Sequence, residues 1–361
     1  GITYHNGDIF VSHRGKITVI RPDGSKEDAL SGLPSFGDHQ NNQVVFGADG
    51  KMYFGQGTAT NSGVVGLDNT WIMQHPQFHD YAGTRITLNG CNFITDNIFT
   101  EAKDYAYTAA FSPFGEPNFY PNEEIRGYIK ASGSILRANP DGSALEQVVW
   151  GLRNPFRLKF DISNRLFSTN LGADVRGSRP IANCVDEFQM IQSGIWYGWP
   201  DYNGGLPVTL PEFTPEGGPP LTLLINTLPN IPPKPFAVFQ PHSTIMGFDF
   251  NYNPDFDNYG DAYVAEFGSE APFTTGGKPD PNVGHKVTRI DMTSGTVSDF
   301  AVNKSGLAAF ESGSGGFERP SDVVFGPDGA MYVLDFGVSK PGEPGQYYKG
   351  SGVIWRIARI S

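Results

Sequence analysis

One unit recurs along the chain, and it constrains the fold more than any bulk property. It is a short apolar run, a turn built on Asp or Asn and usually Gly, then a second apolar run. The clearest copy spans Asp322–Val333 around Gly326-Pro327-Asp328-Gly329. Others span Gly1–Val11 around Asn6-Gly7, Val44–Phe54 around Asp49-Gly50, Leu158–Phe167 around Ser163-Asn164, and a stretched copy over Gly247–Val264. Asp-Gly and Asn-Gly tolerate the positive φ that tight hairpin turns demand. The flanking β-branched and aromatic residues fit a pleated, buried surface. A further apolar segment bearing a polar or basic residue recurs at Ile17–Ile20, Ile135–Ala138, Val287–Ile290 and Val353–Ile357, and reads as the third strand of a four-stranded blade. Many short strands repeated in series predict an all-β propeller of four-stranded antiparallel blades, of which about five lie in this chain. Two stacked β-sandwiches would be the competing architecture, but the similarity between copies argues against it. No amphipathic helix of any length is evident.

The copies are unevenly spaced because long insertions fall near residues 67–131 and 201–240, the second rich in Pro and read as an ordered surface excursion. The whole of residues 1–361 is expected to form one propeller domain. The chain opens inside a repeat, since Gly1-Ile2-Thr3-Tyr4 reads as the middle of a strand, so the propeller is expected to be incomplete at its N-terminal side. The 45 Gly and 28 Pro are spread along the sequence, as short strands with tight turns require, and do not form a disordered tract. A formal net charge of −12 repels phosphate backbones and anionic lipids, which argues against nucleic-acid or membrane-surface partners. No apolar run approaches the ~18–20 residues of a membrane span. Cys91 and Cys184 are too far apart for a CxxC motif; one long-range disulfide and two separate thiols both remain open.

Propeller ligands are held by loops near the blade axis, so polar residues just before the strands are the candidates. Gly37-Asp38-His39-Gln40-Asn41-Asn42 precedes one strand, and His39 could serve as a general base because imidazole titrates near neutrality. Taken alone, a loop histidine satisfied by a carbonyl is the plainer reading. Trp150-Gly151-Leu152-Arg153-Asn154-Pro155 precedes another; Arg153 could clamp a carboxylate or an oxyanion, and Asn154 offers both a donor and an acceptor. The plainer reading there is an inter-blade salt bridge. Arg319 stands in the same pre-strand position as Arg153, and His242 in a similar one. Carbonyls of Gly172 and Ala173, with the carboxylates of Asp186 and Glu187 nearby in sequence, are the oxygen donors that Ca²⁺ prefers, although a solvated acidic turn would look the same. Nucleotide-binding glycine motifs, a P-loop and a nucleophile elbow are all missing.

At these motifs the chain resembles the glucose/sorbosone dehydrogenase family. The matching stretches are Gly37-Asp38-His39-Gln40, Gly151-Leu152-Arg153-Asn154-Pro155, Asp186-Glu187 followed by Gly194-Ile195-Trp196-Tyr197-Gly198-Trp199-Pro200, and Arg319-Pro320-Ser321-Asp322-Val323, in family order over nearly the whole chain. The resemblance implies a six-bladed propeller whose first blade is not in this chain, and a cofactor, pyrroloquinoline quinone (PQQ), acting with Ca²⁺. It implies His39 as the base that takes the proton from a sugar hydroxyl while hydride passes to the quinone. Arg153 and Asn154 would contact the quinone, with Arg319 and His242 also toward the cofactor, and Gly172 and Ala173 would present carbonyls to calcium. Four positions depart from the pattern: Thr58 replaces the carboxylate that orients the histidine, Leu171 a polar cofactor contact, Gly268 a lysine and Ser321 a second arginine.

The expectation is a secreted or periplasmic sugar dehydrogenase-like oxidoreductase with a small-molecule sugar as substrate. The alternative is a catalytically inactive propeller used as an extracellular binding or assembly module, with a protein partner or second chain at the incomplete blade. A metal-dependent lactonase is weaker, because no acidic ligand cluster recurs at the blade starts.

Overall fold

The repeated turns do what their chemistry demands. In a computed structural model, which describes all residues except 103, 272, 277–282, 341–342, 344 and 360–361, Asn6 and Gly7 take φ of 50° and 93°. The flanking strands Ile2–His5 and Asp8–His13 close directly onto each other at His5 and Asp8. Two residues at positive φ give the hairpin turn whose twist matches its strands.

Five such hairpins found five sheets. The first joins Ile2–His5, Asp8–His13, Lys16–Ile20 and Lys26–Leu30 in chain order. The second joins Val45–Phe46, Met52–Gln56, Ser134–Ala138 and Glu146–Trp150; the third Pro155–Phe160, Leu166–Asn170, Asp186–Met190 and Ala237–Phe239. The fourth joins Ile245–Phe250, Ala262–Glu266, Lys286–Ile290 and Val297–Val302. The fifth shows three strands among the described residues, Pro320–Phe325, Met331–Asp335 and Val353–Ile357. Successive antiparallel blades of this kind are the β-propeller fold, and the third strands fall where the repeat predicts them. Helix is confined to single turns at Pro211–Phe213 and Ala309–Ser312. No helix among the described residues is long and apolar enough to cross a membrane.

Contacts group the chain into two compact units. The first holds Gly1–Ser168, Ala173–Cys184 and Met190–Lys234; the second holds Thr169–Gly172, Val185–Gln189 and Pro235–Ser361. In the first unit the strand Met52–Gln56 is buried along its whole length because both its faces are covered. Met52 and Phe54 pack with Phe10, Ile17, Val19 and Leu136, while Tyr53, pointing the other way, packs with Ile135, Leu158 and Leu166. In the second unit Tyr263 and Ala265 pack with Val287, Val323, Met331 and Val333. Each such aliphatic or aromatic side chain contributes about 1.5–3 kcal/mol by leaving water.

Both insertions are ordered. Residues 67–131 enter between the second and third strands of the second sheet and carry two ribbons, Ile86–Thr87 with Glu124–Ile125 and Asn92–Asp96 with Tyr105–Ala109. The Pro-rich stretch is tied down by a fully buried ion pair: Arg179 meets Asp201 at 2.9 Å, and Asp201 also accepts the backbone amides of Leu224 and Ile225. Cys91 and Cys184 are not joined to each other, which settles the question the sequence left open.

Candidate active site in the first unit

Loops before and after the strands of the second sheet lie side by side and lock one another. The amide of His39 donates to the Thr58 carbonyl (3.0 Å), that of Asp38 to the Ala59 carbonyl (3.0 Å), and that of Thr58 to the Arg153 carbonyl (3.0 Å). The buried carboxylate of Asp80 fastens the same turn by accepting the Ala59 and Thr60 amides at 2.6 and 3.1 Å. Its desolvation pushes its pKa up to about 6. His39 and Asn154 are thereby held on either side of Gly57: a Cβ at residue 57 would lie 2.3 Å from the His39 Cβ and 3.0 Å from the Asn154 Oδ1.

The side chains around His39 form an ionic lattice. Arg153, 4% exposed, donates its Nε to the Asn61 carbonyl (3.0 Å) and its Nη2 to Asn61 Oδ1 (3.0 Å) and Asp174 (3.2 Å). Arg176 bridges three carboxylates, Asp38 at 2.7 Å, Asp68 at 2.6 Å and Asp174 at 3.2 Å. Asn154 accepts from the Asn42 side chain at 3.0 Å. The His39 ring makes no hydrogen bond among the described residues, and its Nε2 is buried and unpartnered. Burial, then the positive charges of Arg153 and Arg176, hold its pKa well below the usual histidine value; only Asp174 opposes them. The imidazole is therefore neutral, with a lone pair or proton available at a buried nitrogen. Thr58 does not orient it, because its hydroxyl donates to the Thr60 carbonyl at 2.8 Å.

The remaining sequence candidates belong to the second unit, except Ala173, which is counted with the first. Arg319 donates to Ser339 Oγ (3.1 Å) and to the carbonyls of Phe267 (3.2 Å) and Ser269 (2.8 Å), and lies over the Phe267 ring. The loop holding His242, itself at a φ of 64°, meets the same segment: the Gly268 amide donates to the Ser243 carbonyl (2.9 Å). At the proposed metal position, Asp186 accepts the amides of Gly172 (2.7 Å) and Ile245 (3.2 Å). Glu187 accepts from Asn170 (2.8 Å) and Gln189 (3.0 Å). Neighbours in a strand face opposite sides of its sheet, so these two carboxylates cannot enclose one ion. Among the described residues no three His, Cys, Asp or Glu side chains group as metal ligands. Asp186 and Glu187 therefore do not close together on one ion. In the histidine cluster the His39 Nε2 is left without a hydrogen-bond partner among the described residues. The residues that the sequence singled out, His39, Arg153 and Asn154, stand here among Asp38, Asp68, Asp174 and Arg176; the signal for Asp174 and Arg176 was their charge in a turn next to Gly172.

The blades define the class, and comparison with known proteins agrees. The calcium structure of a Trichoderma reesei protein of Carbohydrate-Active Enzymes Family AA12 superposes with a TM-score of 0.53 at 14% identity, over 92% of this chain and 77% of that one. At that identity the likeness is one of fold. A PQQ-bound aldose sugar dehydrogenase from Streptomyces coelicolor covers 99% of this chain and 93% of its own, with a TM-score of 0.43 and 16% identity. No protein-family model matches the sequence. Among curated proteins, quinoprotein glucose dehydrogenase B of Acinetobacter calcoaceticus is 27% identical over 179 residues, 49% of this chain and 29% of that protein. The match thus spans less than a third of the relative. Over that stretch the chain is similar to the quinoprotein.

Proposed function

We propose that the chain is a sugar dehydrogenase-like oxidoreductase acting outside the cytoplasm, with His39 as the base that accepts a proton from a sugar hydroxyl. The observation that carries this reading is the buried, unpartnered Nε2 of His39, held neutral beside Arg153 and Asn154. A neutral imidazole can take a proton at Nε2, and the imidazolium so formed is favoured by the charge of Asp174. Asn61 and Asp174 hold the Arg153 guanidinium in one orientation, a fixed positive field toward which an oxyanion or quinone carbonyl can be drawn. A bound quinone would supply the hydride acceptor. We place Arg153 and Asn154 toward it.

The test is to reconstitute the full chain with PQQ and Ca²⁺ and to follow dye reduction over a panel of aldoses. Sugar-dependent reduction that disappears in His39→Ala is the expected result. Absence of both turnover and any quinone absorbance change would reject the reading.

Two observations favour the second reading, a binding module without turnover. Gly268 has a φ of 93°, and a Cβ there would lie 2.7 Å from the His285 ring, so no lysine fits where the family carries one. Ser321, in place of a second arginine, donates to the Leu334 carbonyl at 3.1 Å. In that case sugars bind the reconstituted chain without reducing the dye.

A further inference from the structure

The second unit carries a cavity of about 400 Å³ that shares no residue with the proposed catalytic or cofactor set. Its floor is one face of the fourth sheet. Glu266 is paired with Lys286 across the register and Thr288 with Asp299, and residues 286 and 288 lie two apart on one strand. All four side chains therefore stand on the same face. The strand Ala237–Phe239, with Gln240 and Ser243 after it, forms the opposite wall, and Val297 and Ser298 complete the rim.

Three polar side chains in this cavity are almost wholly buried: Ser243 and Thr288 at 1% and Glu266 at 3% exposure. The hydroxyls of Ser243 and Thr288 make no well-formed hydrogen bond, and both lie toward the Glu266 carboxyl, whose pKa they lower. Lys286 donates to Asp299 at 2.7 Å, and its charge also acts on the Glu266 carboxyl beside it. Buried polar groups in folded proteins are satisfied almost without exception, so a set of unsatisfied ones on one cavity marks a place for an outside molecule.

The charges decide its class. Lys286 repels a cation, and Asp299 with Glu266 repels an anion. What remains is a neutral molecule carrying several hydroxyls, each able to donate to a carboxyl and accept from a hydroxyl or ammonium, with Phe239 and Val297 offering apolar surface to its carbon faces. The volume lies within the roughly 300–1,000 Å³ of small-molecule pockets. We propose that Glu266, Lys286, Ser243, Thr288 and Gln240 form a binding site for a neutral polyhydroxyl compound of monosaccharide size, separate from the His39 site.

The test is calorimetric titration of the full chain with D-glucose and with myo-inositol, which has no anomeric centre, in the His39→Ala background so that the result does not depend on the proposed dehydrogenase. Saturable binding of either probe, weakened at least about tenfold by Glu266→Leu and by Thr288→Val and kept within a few-fold by Glu266→Gln, is expected. Both disruptive variants exchange buried polar groups for apolar ones of similar volume, and circular dichroism will show whether they fold. No saturable binding of either probe overturns the proposal, and the cavity then holds only water. Binding that Glu266→Leu and Thr288→Val leave unchanged in folded protein overturns it as well.

Discussion

Gly57 is the spacer between His39 and Asn154: a Cβ there would lie only 2.3 Å from the His39 Cβ, so its missing side chain is what lets the loop pass this close. Gly57→Ala is therefore expected to push the imidazole off its present position. Overpacking of this kind costs about 1–3 kcal/mol, and a shift of an ångström in a base costs about a hundredfold in rate. Thermal unfolding together with dye-reduction kinetics would measure both. A variant as stable and active as the parent would mean that the loop has room it does not show.

Burial and then the charges of Arg153 and Arg176 hold the His39 pKa well below the usual histidine value, so the proposed base is already neutral where a free imidazole titrates. The rate profile of the reconstituted protein is expected to lack an inflection near 6.5 and to fall only on the acid side. His39→Ala should lower kcat/KM by about 10²–10⁴. An acid limb centred near 6.5 would show that the neighbouring arginines do not act on the base as the geometry requires.

Two buried groups in the second unit make its stability depend on pH in opposite directions. His285 has its pKa lowered to about 4, mainly by burial and then by Arg319. Its unfolded form takes up a proton near 6.5 and the folded form does not, so its contribution is complete above that pH and is lost as pH falls toward 4. Glu266 has its pKa raised to about 7 by burial. The folded form keeps its proton while the unfolded one loses it near 4.5, so its contribution is complete below 4.5 and is lost as pH rises to 7. Each effect is worth up to about 3 kcal/mol. Urea titrations between pH 4 and 8 should show Glu266→Gln gaining most at pH 8 and nothing at pH 4. A gain independent of pH would refute the assignment.

Arg176 holds Asp38, Asp68 and Asp174 together, each at hydrogen-bonding or ion-pair distance. Arg176→Ala leaves three carboxylates facing one another and is expected to cost about 3–5 kcal/mol, since a broken buried pair strands its partner charges. Arg176→Lys should recover part of that, because one ammonium cannot reach three acceptors as a planar guanidinium does. Chemical denaturation of the two variants gives the comparison.

The blades were legible because the hairpin turn and its flanking strands are local. Asn6-Gly7 and the apolar alternation around it determine a ribbon whatever else the chain does. His39, Arg153 and Asn154 were legible as motif residues standing before strands. The lattice around them was not. Arg176 reaches Asp38 and Asp68 from 138 and 108 residues away, and nothing in a turn such as Asp174-Val175-Arg176 announces such partners. Glu266 was invisible for the opposite reason, since at the end of an apolar strand it reads as the edge of a core. The calcium expectation rested on the Gly172 and Ala173 carbonyls with Asp186 and Glu187 nearby in sequence, and adjacency in a strand sends those two carboxylates to opposite faces.

Gly268 gives the sharpest test of the cofactor question. The family pattern calls for lysine there, and restoring it would be the obvious way to strengthen the binding of a tricarboxylate cofactor. The backbone forbids it: at a φ of 93°, with His285 ring atoms 2.7 Å and the Val283 carbonyl 2.9 Å from the Cβ position, any side chain is strained. Gly268→Lys is expected to destabilise the protein by about 1–3 kcal/mol without tightening quinone binding. The double variant Gly268→Lys with His285→Ala removes the ring contact but keeps the strained φ, and should recover only part of the loss. Absorbance titration with PQQ, alongside thermal melts of both variants, reads the two effects separately. A Gly268→Lys protein that binds the quinone more tightly at unchanged stability would show that this segment can adopt the family's conformation after all.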